Sequence, residues 1–291
     1  MKYLIHLSFI IGMLTFVGCK NDVASALLQG EQVEYSFTNA DLSERFVDEG
    51  LVSQFSLISN NAGSKAKIEA LYIGSQDQIK TDTIILYLHG NSPNMNDYWQ
   101  LTANLANVGG QHNYGVMMFD YRGFGNSEGK SESIEDLVAD SEACITWLKA
   151  RGLSKERLIV YGYSLGAMPA AHLAAKPSNT SILEIEKVVL DAPQTTSTKL
   201  LQDATGLSLG GSAVTSFDYN IPLAIEDYDN YLLWIHGTDD KTASFENFKY
   251  VYDRYDNPKK SSAELEGVGH STAIDMGFPA YEKLMLNFIR Q

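Results

Sequence analysis

The sequence predicts an α/β chain: a doubly wound, mostly parallel sheet with helices on both faces, an antiparallel N-terminal hairpin and a small cap. Two observations carry the parallel sheet. Residues 83–88, 116–119, 158–161, 188–190 and 232–235 are short, continuously apolar runs. Strands without alternation are covered on both faces, as parallel sheets are. Helical spacing falls between most of them, marked by Tyr98, Leu101 and Leu105, by Phe245, Phe248, Tyr252 and Tyr255, and by Tyr281, Leu284, Met285 and Phe288. Strand alternating with helix implies crossover connections, with ligands at the carboxyl ends of the strands.

The elements follow in order. Residues 1–18 read as a secretory signal: Lys2 gives a basic start, residues 3–17 are largely apolar, and Gly18 is small at the cut site. The run is short for a membrane span. Phe16-Val17-Gly18-Cys19 resembles the bacterial lipobox, with Phe16 where leucine is usual. That resemblance implies lipidation at Cys19, a small polar tether over residues 19–30, and a domain over 31–291 exported and anchored to a bacterial envelope membrane. Residues 33–37 alternate, and 41–49 have weak helical character. Residues 54–58 and 68–73 alternate like strands, and Asn60-Asn61-Ala62-Gly63-Ser64 between them reads as the turn of a hairpin.

Composition narrows the chemistry. The 291 residues are 44% hydrophobic and 20% charged, enough to bury a large core. A net charge of -14 repels phosphate backbones and argues against nucleic-acid partners. Cys19 and Cys144 make no disulfide framework and no C-x-x-C. Cys144 shares a helical face with Leu137, Ser141 and Leu148, the place of an inert core thiol. There is no H-E-x-x-H and no zinc spacing, so no metal or cofactor is expected. Gly129-Lys130-Ser131 invites a phosphate-loop reading, but Phe124 stands where that loop needs its first glycine.

The most informative stretch is Gly162-Tyr163-Ser164-Leu165-Gly166, between the apolar run and an alanine-rich helical segment over 167–175. Strand, tight turn and helix form the setting of a nucleophile elbow, with the serine strained at its tip. Gly162 and Gly166 remove side chains that would collide there. The helix start, with Pro169 close by, aims amide N–H groups at the space above Ser164. Alone, this pattern equally describes a glycine-bounded turn with a serine facing solvent.

Further motifs close the other strand ends: His89-Gly90-Asn91, Asp120-Tyr121-Arg122-Gly123-Phe124-Gly125-Asn126-Ser127-Glu128-Gly129, Asp191-Ala192-Pro193, His236-Gly237-Thr238-Asp239-Asp240, and Gly267-Val268-Gly269-His270. In this order the set resembles the α/β-hydrolase superfamily, in its serine aminopeptidase-like and lipid-hydrolase branch, from about residue 50 onwards. The resemblance implies the α/β-hydrolase fold and a triad of Ser164, Asp240 and His270, with Asp191 at the place some members use for the acid. It also implies an oxyanion hole from the backbone N–H groups of Asn91 and Leu165. His270 is the one histidine after Asp240. His6 falls in the signal, His89 and His236 support strand-end loops, His112 sits in a Gly-rich loop and His172 on the helix after the elbow. Asp120 and Arg122 read as a loop-bracing pair.

The chemistry needs these types. A serine hydroxyl attacks once a base takes its proton, an imidazole does this near neutral pH, and a carboxylate holds the imidazole's tautomer. Residues 193–232 leave room for a small cap of loops, through 195–198, Gly206 and Gly210-Gly211, with one short helix. Such a site is open and tolerates bulky acyl donors. Tyr163, Trp99, Tyr98 and Met168 are candidates to line it, although Tyr98 at least is better suited to the core. The expected activity is hydrolysis of an acyl ester, thioester or amide of a small-molecule or acylated substrate through an acyl-enzyme. The competing readings are a serine peptidase and a catalytically silent binding lipoprotein.

Overall fold

Eight strands hydrogen-bond into one sheet in the order β1-β2-β4-β3-β5-β6-β7-β8. They are β1 (Val52–Asn61), β2 (Ser64–Ile73), β3 (Ile84–Leu88), β4 (Gly115–Phe119), β5 (Leu158–Tyr163), β6 (Lys187–Asp191), β7 (Tyr231–Gly237) and β8 (Lys260–Leu265). β1 pairs antiparallel with β2, and β2 antiparallel with β4. Every other neighbouring pair is parallel. The computed structural model describes residues 30–39, 45–176, 182–199 and 218–291. The expected signal, Cys19, the tether up to residue 29, and Gly206, Gly210 and Gly211 of the cap lie outside the described residues.

The strand interiors explain the helices on both faces. Alternate residues of a strand point to opposite sides. Ile84, Leu86, Leu88, Val160, Leu190 and Trp234 enter one core, and Ile85, Tyr87, Ile159, Tyr161, Val189 and Ile235 enter the other. The longer helices are α1 (Trp99–Ala106), α2 (Ile134–Ala150), α3 (Ala167–Ala174), α4 (Phe245–Arg254) and α5 (Phe278–Ile289). α2, α3 and α4 cover the first core, and α1 and α5 the second. Cys144 is fully buried in α2 with Leu137, Ser141 and Leu148, and burial pushes its thiol well up. β8, at the sheet edge, alternates between half-buried and exposed residues.

The hairpin is longer than its alternation suggests, because β1 and β2 stay in register from Val52↔Ile73 to Asn61↔Ser64. Its turn is the two residues Ala62 (φ 48°) and Gly63 (φ 96°), the left-handed pair that matches strand twist. Residues 33–37, whose alternation suggests a strand, form an extended strap instead. Side-chain amides, not a strand edge, hold its backbone. Asn126 accepts from Val33 N–H at 3.1 Å and donates to the Val33 carbonyl at 2.7 Å; Asn96 accepts from Ser36 N–H at 3.0 Å. Of the expected helix over 41–49, residues 41–44 lie outside the described residues and 45–48 are irregular, followed by a single turn, Glu49–Leu51, capped by Asp48.

Asp120 and Arg122 both brace loops, but not with each other. Arg122 reaches α2, bonding Asp136 at 2.7 Å and Asp140 at 2.8 and 3.0 Å, and donates to Ser59 of β1 at 2.8 Å. Its N–H also donates to Asp140 at 2.7 Å. A buried guanidinium needs such a set of acceptors. Asp120 instead faces His89 at 3.3 Å and accepts from the Tyr35 hydroxyl of the strap at 2.5 Å.

Candidate active site

Parallel strands bring their carboxyl ends to one rim, and the motifs meet there. Ser164 follows β5 with φ 51°, a left-handed conformation that is costly for a side chain. The two glycines permit it. A Cβ on Gly162 would lie 2.3 Å from the Gly166 carbonyl oxygen, and one on Gly166 2.0 Å from that of Leu88. The chain turns from the sheet into α3 with no room for either.

Three side chains from separate loops form one hydrogen-bonded line. The loop after β8 carries His270, whose Nε2 lies 2.9 Å from Ser164 Oγ and whose Nδ1 lies 2.8 Å from Asp240 Oδ2. With Nδ1–H donated to Asp240, Nε2 is left to accept the serine proton. Asp240, in the loop after β7, is fixed by Thr242 N–H and Ala243 N–H, which donate to Oδ1 at 2.8 and 2.9 Å. Burial pushes its carboxyl up, but the bonds from His270 and these amides outweigh that and hold it below the usual range. The adjacent Asp239 is exposed. His236 donates through Nε2 to the Ala243 carbonyl at 2.8 Å, bracing the same loop.

The alternative acid is close but engaged elsewhere. Asp191, the last residue of β6, accepts from the Tyr161 hydroxyl at 2.6 Å and the Thr272 hydroxyl at 2.5 Å. Neither donor stands out in the sequence, where Thr272 is two residues past the histidine and Tyr161 lies inside a strand.

Asn91, Tyr98, Tyr163, Asp191, Ser164 and His270 line one cleft of about 590 Å³. Among the described residues its other charged lining group is Asp97; no lysine or arginine lines it. His89 donates through Nδ1 to the Gly90 carbonyl at 2.7 Å. That carbonyl and the Asn91 N–H belong to one planar peptide, so His89 fixes the direction of the Asn91 amide. Leu165, the other expected donor, directly follows Ser164 and has a buried side chain.

Tyr98 and Tyr163 reach the cleft, whereas Trp99 and Met168 do not line it. Trp99 turns to the strap, its ring tilted against Phe37, and donates to the Thr38 carbonyl at 2.7 Å. Met168 is in the core under α3. His112 accepts from Asp48 N–H at 3.0 Å, and His172 is half-buried on α3, where burial pushes its ring down. Among the described residues, no group of three or more His, Cys, Asp or Glu is placed to hold a metal ion. Of the cap, the described part is a turn, Ile221–Ala224, and a bridge between Thr196 and Asn220.

Known proteins resemble this arrangement. A family described as Hydrolase_4: Serine aminopeptidase, S33, matches residues 79–217. Human Alpha/beta hydrolase domain-containing protein 17B is 29% identical over 188 residues, 64% of this chain and 60% of its own length. Uncharacterized protein YfhR of Escherichia coli O157:H7 is 28% identical over 216 residues, 70% of this chain and 69% of its own length. Among solved structures, Pyrococcus furiosus esterase Pf2001 superposes with a TM-score of 0.70 at 19% identity, covering 91% of this chain and 97% of its own. The Exiguobacterium antarcticum esterase EaEST gives 0.60 at 16% identity, covering 81% and 100%. With the strand order described above, the architecture is the α/β-hydrolase fold.

Proposed function

We propose that this chain is a serine hydrolase that cleaves an acyl ester, thioester or amide through an acyl-enzyme. The observation that carries the reading is the line from Ser164 Oγ through His270 to Asp240, with bonds of 2.9 and 2.8 Å, opening into a cleft. Ser164 attacks the carbonyl carbon as His270 takes its proton. The negative oxygen of the tetrahedral intermediate is met by the N–H groups of Asn91 and Leu165. His270 then protonates the leaving group, and water, activated by the same ring, releases the acid. Asp240 holds the tautomer and stabilises the imidazolium. A cleft whose fixed charges are carboxylates disfavours anionic acyl donors.

The esterase neighbours favour an ester, and the aminopeptidase family description supports the peptidase reading. A fluorophosphonate probe separates all of these from a silent binding fold. Covalent labelling and ester turnover should fall by about 10⁴-fold or more in Ser164→Ala. A variant that keeps wild-type turnover would overturn the assignment. Rates on p-nitrophenyl esters of rising chain length, set against aminoacyl amides, decide between esterase and peptidase.

The lipobox-like sequence at Cys19 supports an exported lipoprotein held to an envelope membrane. Among the described residues, no helix is long and apolar enough to cross a membrane. Radiolabelled palmitate should enter the wild type and not Cys19→Ala; equal incorporation removes this part of the proposal.

A further inference from the structure

The site contains a second buried carboxylate that the hydrolytic steps do not use. Asp191 is 1% exposed and lines the same cleft as Ser164 and His270. Both of its oxygens are engaged. Oδ2 accepts from Tyr161 at 2.6 Å, and Oδ1 from the Thr272 hydroxyl at 2.5 Å. Thr272 is joined in turn to the histidine, since its N–H donates to the His270 carbonyl at 3.0 Å. Tyr163 donates to that same carbonyl at 3.2 Å. The backbone of His270 is therefore tied to the ends of both β5 and β6.

Among the described residues, charged and titratable groups facing Asp191 come from several neighbouring elements. They are Tyr87 on β3, Tyr161 and Tyr163 on β5, Asp240 after β7, His270 after β8, and Tyr281 on α5. No lysine or arginine is among them. Burying a carboxylate without a standing cation is expensive, and an amide would fill the same space at lower cost. Of these groups, the one that becomes cationic is the His270 ring, while it holds the serine's proton.

We propose that Asp191 is a positioning residue for His270, clamping its loop through Thr272 and favouring the imidazolium as a second negative charge beside the ring. This rests on the reading of His270 as the base. Burial, with the nearby Asp240 charge adding to it, pushes the Asp191 carboxyl up to about 6 against the opposing pull of its hydroxyl donors and His270. Its charge is thus present at neutral pH and lost as pH falls through about 6.

The test is Asp191→Asn, which keeps the shape and removes the charge, with Thr272→Val, which keeps the charge and removes the tether. On p-nitrophenyl acetate, Asp191→Asn should lower kcat about three- to tenfold at pH 8 with KM little changed. Beside the limb set by the base itself, the wild-type pH profile should show an inflection near pH 6 that is absent in Asp191→Asn and moves to higher pH in Thr272→Val, which loses a donor to the carboxylate. The His270 ring resonances, assigned by their loss in His270→Gln, should differ in their pH response between wild type and Asp191→Asn. An Asp191→Asn protein with the wild-type kcat, profile and ring titration overturns the inference. Turnover retained in Ser164→Ala would instead remove the hydrolase reading, and the ring titration would still decide whether Asp191 acts on His270.

Discussion

Of the histidine–aspartate pairs at the carboxyl ends of this sheet, His270–Asp240 and His89–Asp120 differ in what the second ring nitrogen meets. His270 and Asp240 are 2.8 Å apart, the ring is partly open at 21% side-chain exposure, and Nε2 faces the Ser164 hydroxyl. His89 and Asp120 are 3.3 Å apart with both side chains fully buried, and the remaining nitrogen is bonded to the Gly90 carbonyl. The same two side-chain types therefore serve different ends. Access to the cleft and a neighbour able to give up a proton make the first pair fit for acid–base work. Closure and a backbone acceptor make the second a bracket for the peptide that carries the Asn91 N–H.

The largest break falls on the open pair. Asp240→Asn should lower kcat by about 10⁴-fold, because the ring loses the partner that fixes its tautomer. Steady-state kinetics measure it, and a loss below tenfold would mean that Asp240 is not the acid. On the closed pair, His89→Gln should cost about 1–3 kcal/mol of stability by removing the buried ring that faces Asp120 at 3.3 Å and anchors the Gly90 carbonyl. It should also lower kcat up to about 10²-fold as the Asn91 peptide loses its anchor. Urea unfolding and kinetics on one preparation read both effects; wild-type values in the two would end the bracket interpretation.

The smallest effect sharpens the comparison through a third carboxylate. Asp191 is raised to about 6 in the folded protein, above the unfolded value near 3.9, so the fold binds this proton more tightly than the unfolded chain does. The stability that comes from protonation is present below about pH 4 and lost as pH rises through about 6. Asparagine does not titrate. The stability of Asp191→Asn relative to wild type should therefore climb by about 2–3 kcal/mol between pH 4 and pH 7. Urea unfolding at the two values measures it, and a flat difference would mean that the carboxyl is not raised.

What the sequence made legible has physical causes. The central strands showed as apolar runs because both of their faces are covered, and the hairpin showed through its alternation and its Asn-Asn-Ala-Gly-Ser turn. Ser164, Asp240 and His270 were legible because glycine-bounded turns at strand ends leave a local imprint. The support around them leaves almost none. Tyr35 stabilises Asp120 from 85 residues away, across a strap with no regular structure. Asp136 and Asp140 resemble a solvated face of α2, yet both turn inward to Arg122. Their spacing of four, beside the core-facing positions Leu137, Ser141 and Cys144, was an available signal: two carboxylates on the buried side of a helix require a cation. Trp99 and Met168 misled because large apolar residues near motifs suit a core as well as a cleft.

The strap carries a practical consequence. Residues 30–39 touch two of the loops at the strand ends: Gly30 N–H donates to the Gly123 carbonyl, Tyr35 meets Asp120 and Asn126, and Ser36 meets Asn96. A recombinant form shortened to begin at β1 would keep all eight strands and still expose the Asp120 carboxylate. Its inactivity would testify to the cut, not to the chemistry of the intact polypeptide, so any trimming for expression should stop before Gly30.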